Sequence, residues 1–411
     1  MLVERVPHLS LYGNRRLICL VLAAVSLASL TVTYLAIPRP HKDAVIAAIK
    51  DQASRVKSQL PLAQSHSEPA APSAVPSSKT FSTSTASALF DAASNRTVGV
   101  DQIAFINLPH RHDRFDAIAL QSHLSGIQIT RFPAVVVSEL QSSGLPPTEN
   151  PTRLKDTERG CWRAHANVWQ HMLENQIPAV MVLESDAGFD VNIRPIMGRL
   201  NGAFRELLKK ENPNAVLHED PSDPWLSRSD TWDLLSIGHC ADGRNDDGQY
   251  VVYDDPDAPH KDWKYGPLNV VLNKQRVVYR ANHVVCTTGY LVSLSGAARL
   301  LVRTSWNLEE PVDIIIAMMA GAGELRAYAQ QQVLVAQWQY IDGLKSGGNS
   351  DIHDGGDDAG KKSDEEEKKS KEAWEQSKKT HAAVEVKSNY RHSDFTDFAL
   401  GRAWNHIIDK S

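Results

Sequence analysis

The segment Ala179-Val180-Met181-Val182-Leu183-Glu184-Ser185-Asp186-Ala187-Gly188-Phe189-Asp190 constrains the fold more than any other part of the chain. Apolar residues, β-branched Val180 and Val182 among them, run straight into Glu184, Ser185 and Asp186. A short apolar run that ends in polar residues reads as a strand buried on both faces. In open α/β sheets, ligands sit just outside the carboxyl ends of such strands. Two carboxylates placed there can share one divalent cation, which in turn would clamp a phosphate. Spacing alone fits equally well a turn begun by Asp186 and a solvated Glu184.

Strand and helix patterns alternate around this segment. Residues 102–108 read as a first strand, 114–124 as a helix and 129–137 as a second strand. Residues 160–176 form a helix with Trp162, Ala166, Trp169 and Leu173 at helical spacing. Pro195, in a first-turn position, opens another helix through Lys210, and 232–239 is a fourth strand. A polar excursion between Cys240 and Cys286 holds short β-like pieces at 250–253 and 276–280. Strand 288–293, a helix at 295–303 capped by Ser295, a helix at 311–320 and a closing strand at 332–338 follow. The alternation predicts an α/β domain with a largely parallel sheet.

The 411 residues leave ample length for a buried core in one large or two average domains. A net charge of −5 excludes the basic field expected of a nucleic-acid binder. Cys19, Cys161, Cys240 and Cys286 are too few for a disulfide framework, and no CxxC pair suggests structural zinc. Residues 17–37 carry no charge and are rich in Leu, Val and Ala, matching the ~20 apolar residues of a membrane span. The run exceeds the ~7–15 residues of a signal-peptide core, so it reads as an uncleaved signal anchor. The chain then divides into a short cytoplasmic tail (1–16), the anchor (17–37), and a Ser/Pro/Ala-rich stem (38–100). A main domain (101–341), a charged low-complexity segment (342–379) and a C-terminal segment (380–411) follow, the last with Phe395, Phe398 and Trp404 to dock on the domain. Asn95-Arg96-Thr97 is a glycosylation acceptor sequence.

Five blocks in order resemble glycosyltransferase family 25, which contains lipooligosaccharide and collagen galactosyltransferases. They are Ile106-Asn107-Leu108-Pro109-His110-Arg111-His112-Asp113-Arg114, Gly160-Cys161-Trp162-Arg163-Ala164-His165 with Trp169, and Leu183-Glu184-Ser185-Asp186. Thr288-Gly289-Tyr290-Leu291-Val292-Ser293 with Gly296-Ala297, and Pro311-Val312-Asp313, complete the set. The resemblance covers roughly residues 102–338. It implies a single GT-A-like, Rossmann-type domain that moves a hexose, galactose favoured, from a UDP-sugar with inversion. The acceptor would be a hydroxyl of a glycan, glycoprotein or glycolipid. With the anchor, it implies a type II Golgi membrane protein whose catalytic domain is lumenal.

Under that resemblance Asp186 is the direct ligand of Mn2+ (or Mg2+), and Glu184 is a second ligand or a ribose contact. Asn107 in the first strand, and Arg111 and Arg114 after it, are the nucleotide-sugar contacts, the guanidinium forks suiting the nucleotide's phosphates. His165 reads either as a donor contact or as a core histidine. Asp313 is the candidate base for the acceptor hydroxyl, with Glu310 next; Asp313 reads equally as a helix N-terminal aspartate. Cys240 and Cys286 bracket the polar excursion and in a lumenal compartment would close it as a disulfide. His239, beside Cys240, reads as a loop histidine or a further metal ligand. Ser185 stands where many family members carry aspartate. This keeps open a catalytically silent relative that binds nucleotide sugar or glycan without transfer.

Overall fold

The computed structural model describes residues 83–244, 248–259, 263–265, 270–345, 351, 364–387 and 395–409. The expected cytoplasmic tail, the anchor at 17–37, most of the stem and part of the charged segment lie outside the described residues. No helix among the described residues is long and apolar enough to cross a membrane. The chain divides into residues 1–78 and 79–411, and everything described here belongs to the second unit.

In chain order that unit begins with α1 (Thr83–Ala93), β1 (Gln102–Asn107), α2 (His112–Ser125), β2 (Thr130–Pro133), α3 (Asp156–Asn175), β3 (Ala179–Leu183), β4 (Ala187–Phe189) and α4 (Ile193–Glu211). Then come β5 (Leu234–Gly238), β6 (Ala241–Arg244), β7 (Tyr250–Asp254), β8 (Trp263–Tyr265), β9 (Val270–Leu272), β10 (Gln275–Val285) and β11 (Gly289–Ser293). The unit continues with α5 (Leu294–Trp306), α6 (Val312–Ala322), β12 (Ala327–Gln331), β13 (Val335–Tyr340), α7 (Asp364–Thr380) and β14 (Val384–Val386).

The main sheet has the order β2-β1-β3-β11-β5-β12-β10-β6, with β7 also pairing β10. Strands β2, β1 and β3 run parallel, as do β5 and β12. Strand β11 lies antiparallel to both β3 and β5, and β10 antiparallel to β12. The sheet is therefore mixed, with most strands pointing one way. An apolar run such as Gly289–Ser293 announces burial but not direction, so its reversal was not readable from pattern. This mixed α/β architecture fits a GT-A-like domain.

Period-two alternation on β3 supplies both cores. Ala179, Met181 and Leu183 face one layer, against Ile196, Leu200 and Phe204 of α4. Val180 and Val182 face the other, against Trp162 and Trp169 of α3, Leu300 of α5 and Ile316 of α6. Helix α5 approaches the sheet so closely at Gly296 that a Cβ there would lie 2.1 Å from the carbonyl oxygen of Asp233.

Several boundaries depart from the sequence reading. The stem does not extend to residue 100: α1 packs Phe90 against Gly198 of α4, and Ala93, Val98 and Val100 are buried. The second strand stops at Pro133, and residues 134–138 leave the sheet. Helix α5 is capped by Ser293, whose Oγ accepts from Gly296 N at 3.2 Å; Ser295 instead donates to Asp233 Oδ1 at 2.7 Å. Strand β12, Ala-Tyr-Ala-Gln-Gln, was not anticipated. The C-terminal segment docks as expected: β14 pairs with β13, Asp190 bridges to Phe398, and Phe398 covers Gly188. The charged segment ends in α7, which packs Lys369, Ser370 and Ala373 against Gly343.

Candidate active site

Carboxyl ends of parallel strands face outward together, and here β1, β2 and β3 enclose a cavity of about 330 Å³. Asn107 ends β1 and Leu108 and His110 follow it, Ala134 to Ser138 follow β2, and Glu184, Ser185 and Asp186 follow β3. Gly160, Cys161, Ala164 and His165 of α3 also line the cavity, as do Arg114, Gln337 and Asp351. The acidic end of β3 therefore opens into a pocket rather than into bulk solvent.

Glu184 is held from two directions. Thr287 Oγ1 donates to its Oε1 at 2.6 Å, and His165 Nε2 lies 3.2 Å from the same oxygen. On the far side of the imidazole, Nδ1 is 2.9 Å from the Tyr290 hydroxyl, which also receives Trp169 Nε1–H at 3.1 Å. A carboxylate only accepts, so Nε2 carries a proton toward Glu184. Burial alone would raise the Glu184 carboxyl. The bonds and charge from His165 and the Thr287 bond outweigh it and leave the pKa below its ordinary value. The backbone joins in, with Glu184 N donating to Thr288 O at 3.1 Å.

Asp186 behaves oppositely. Burial, reinforced by the repulsion of Glu184 and opposed by the attraction of Arg114, pushes its pKa up to about 6. Its Oδ1 is buried with no hydrogen-bond partner among the described residues. An unmatched carboxylate oxygen beside a second carboxylate is the local chemistry a hard divalent cation would satisfy. Cys161, His165 and Glu184 form the other feature: one ligand atom from each lies within 4.8 Å of the others. Asp186 is not in that group.

The cationic wall is partly engaged. Arg111, 7 % exposed, pairs with Asp113 at 3.0 Å and with Asp351 at 2.6 Å, so its fork is turned to carboxylates rather than to the cavity. Arg114 is fully buried; its guanidinium stacks 4.1 Å over Trp338 and donates to Trp338 O at 3.3 Å. Burial lowers its pKa, with Asp186 pulling the other way. Asn107 is buried, and its Nδ2 donates to Arg111 O at 3.0 Å. Its Oδ1 has no hydrogen-bond partner among the described residues.

The sequence candidates for a base stand elsewhere. Asp313, in the first turn of α6, accepts Cys286 N at 3.1 Å on Oδ2 and Ile314 N at 2.9 Å on Oδ1. Glu310 pairs with Arg153. Neither lines the cavity, so the helix N-terminal reading describes Asp313 as the structure places it. Cys240 and Cys286 are joined as a disulfide, which together with Asp313 fixes the segment that presents Thr287 and Thr288 to Glu184. His239 is buried, with Nε2 3.3 Å from Gln330 O, away from the cavity. Asp190 accepts from Asn192 N and Asp397 N at 2.9 and 2.8 Å, tying down the C-terminal segment. Asn95 is exposed. Thr287, Tyr290, Cys161 and Asp351 were not anticipated as site residues. Only Cys161 and Tyr290 carried a signal, since both fall within the family-like blocks.

Residues 100–220 match a glycosyltransferase family. The matching model is described as glycosyltransferase family 25 (LPS biosynthesis protein), and the matched stretch carries Asn107, Arg114, His165, Glu184 and Asp186. Procollagen galactosyltransferase 1-B of Xenopus laevis is 26 % identical over 230 residues, covering 53 % of this chain and 31 % of that protein. A glycosyltransferase 25 family member of Drosophila melanogaster is 25 % identical over 233 residues, covering 54 % and 31 %. Procollagen galactosyltransferase 2 of Mus musculus is 23 % identical over 244 residues, covering 57 % and 32 %. The chain thus spans about a third of the length of the curated relatives it matches. These likenesses place residues 100–220 beside glycosyltransferase family 25 proteins.

Proposed function

We propose that this chain is a galactosyltransferase-type enzyme that takes a hexose from a UDP-sugar and places it, with inversion, on a hydroxyl of a glycan, glycoprotein or glycolipid. The observation that carries this reading is the cavity at the ends of β1, β2 and β3, where Asp186 offers an unmatched carboxylate oxygen beside Glu184. A nucleoside diphosphate leaving group gathers negative charge as the sugar departs, and that charge needs fixed positive partners. Asp186 and Glu184 fit Mn2+ or Mg2+, hard cations that prefer carboxylate and phosphate oxygens. Such a cation, when bound, neutralises the diphosphate as a Lewis acid. The chain's own residues do the rest. Arg114 adds cationic charge next to Asp186, the apolar wall at 134–137 excludes water, and Asn107 offers an amide oxygen to a donor hydroxyl. Thr287 and His165 hold Glu184 ionised and in place. Asp313 fixes the Cys286 amide and so positions Thr287.

We further propose lumenal placement behind a signal anchor at residues 17–37 in a Golgi membrane. The disulfide and the exposed Asn95 support an oxidising, glycosylating compartment. The test of the activity is calorimetry with UDP-galactose and Mn2+, followed by transfer to an acceptor panel. Wild type binds and transfers, whereas Asp186→Ala loses cation-dependent binding and turnover. Transfer that survives Asp186→Ala overturns the metal assignment. Binding without turnover on any acceptor favours the silent relative, for which the lone observation is Ser185 in the cavity wall between the two carboxylates.

A further inference from the structure

We infer that Cys161, His165 and Glu184 form a binding site for a borderline-soft cation, Zn2+, at the α3 wall of the cavity. Cys161 and His165 are four apart on α3 and so share one face of the helix. Glu184 reaches them from the end of β3. The three ligand atoms already lie within 4.8 Å of one another, and His165 Nε2 and Glu184 Oε1 are 3.2 Å apart. Two donors on a tetrahedral zinc ion sit about 3.4–3.7 Å apart, given bond lengths of ~2.0–2.3 Å. The histidine and carboxylate are therefore close to ligand spacing, and the thiol needs only a small approach.

A second observation, independent of the cluster, is the anchoring of His165. A ligating histidine is normally oriented by a hydrogen bond on its other ring nitrogen. Here Nδ1 faces the Tyr290 hydroxyl at 2.9 Å, and Trp169 holds that hydroxyl in turn. With a cation on Nε2, the imidazole takes the other tautomer and Nδ1–H donates to the Tyr290 oxygen. Cys161 binds as thiolate, its proton passing to buffer. The donor set of sulfur, nitrogen and one oxygen selects zinc over manganese or magnesium, which prefer oxygen alone. Three protein ligands with a fourth position open to the cavity match a zinc site that keeps water or another ligand. Filling it removes Glu184 from its bond with His165, a consequence for transfer that rests on the function proposed above.

The binding test needs neither donor nor acceptor, so it stands or falls apart from the transferase reading. In the full chain with Cys19→Ser, Cys161 is the one thiol outside the disulfide. Co2+ added alone gives one equivalent of a thiolate-to-cobalt charge-transfer band, which Zn2+ displaces. Cys161→Ser abolishes the band and weakens Zn2+ binding in calorimetry. Tyr290→Phe keeps all three ligands and the band but lowers Zn2+ affinity by roughly 10–100-fold. An absent band in the parent chain, or Zn2+ affinity unchanged by Cys161→Ser, overturns the site.

Discussion

Asp186 and Glu184 are one residue apart, line the same cavity and shift in opposite directions. Thr287 and His165 donate to Glu184, whereas the buried Oδ1 of Asp186 meets no donor among the described residues. The Asp186 pKa of about 6 makes a cation there compete with a proton under mildly acidic conditions. Above about pH 6 the carboxylate is free and affinity levels off. Below it, each pH unit weakens cation binding up to about tenfold, since one proton must be displaced. A Mn2+ titration across this range checks it, and a flat profile removes Asp186 from the ligand set. Thr287→Val keeps the side-chain shape but deletes the donor to Glu184. Its kcat/KM for transfer falls roughly 10–100-fold, the usual cost of losing a partner that orients a ligand. A change confined to KM would assign Thr287 to donor binding alone.

Elements set how precisely those residues meet, and the start of β5 is the tightest junction. Asp233, fully buried, takes Arg326 Nη2 at 2.8 Å, Nε at 2.9 Å and the Arg326 amide at 2.8 Å, plus Ser295 Oγ at 2.7 Å. Burial would raise its pKa, but the Arg326 and Ser295 bonds outweigh this and leave it lowered. The unfolded chain therefore binds the proton more tightly. The pair's stabilisation is complete above the ordinary aspartate pKa and disappears as pH falls through the lowered one. Asp233→Asn costs roughly 3 kcal/mol near neutrality, and the gap to wild type narrows toward acid in urea melts. Gly296→Ala forces a Cβ onto the Asp233 carbonyl and costs about 1–3 kcal/mol by overpacking; an unchanged midpoint would mean α5 can shift outward. β3, α3 and α4 were legible because burial follows period two or 3.6 along their own residues. β12 was not, because its buried positions include Gln330 and Gln331. The carboxylates after β3 were legible for the same local reason. The bonds that define them cross long separations, His165 to Tyr290 and Thr287 to Glu184, and no sequence period records such pairings. Asp313 was placed correctly on a helix start, yet its use by the Cys286 amide depended on where β10 ends.

At the scale of the whole chain, the polar excursion is bound to the site by one covalent link. Cys286 adopts φ 70°, its amide is held by Asp313, and its sulfur is bonded to Cys240 across 46 residues. The bridge therefore both shortens the unfolded chain's freedom and fixes the turn that hands Thr287 and Thr288 to Glu184. Replacing both cysteines by serine costs about 2–5 kcal/mol in denaturant unfolding and lowers transfer beyond what the stability loss explains. Stability lost with full activity would confine the disulfide to a structural role. Such bonds are favoured in oxidising compartments and rare in the cytosol, and an oxidising secretory compartment would also glycosylate Asn95. Its amide Nδ2 is the atom a glycan would take, and Asn95 is exposed on the turn after α1, with Oδ1 accepting from Thr97 N at 2.8 Å. The full chain expressed in a secretory cell gains mass removable by peptide glycosidase, and Asn95→Gln loses that mass. The wild-type chain migrating unglycosylated, with Cys240 and Cys286 reduced, would instead place this cavity in the cytosol and withdraw the lumenal assignment.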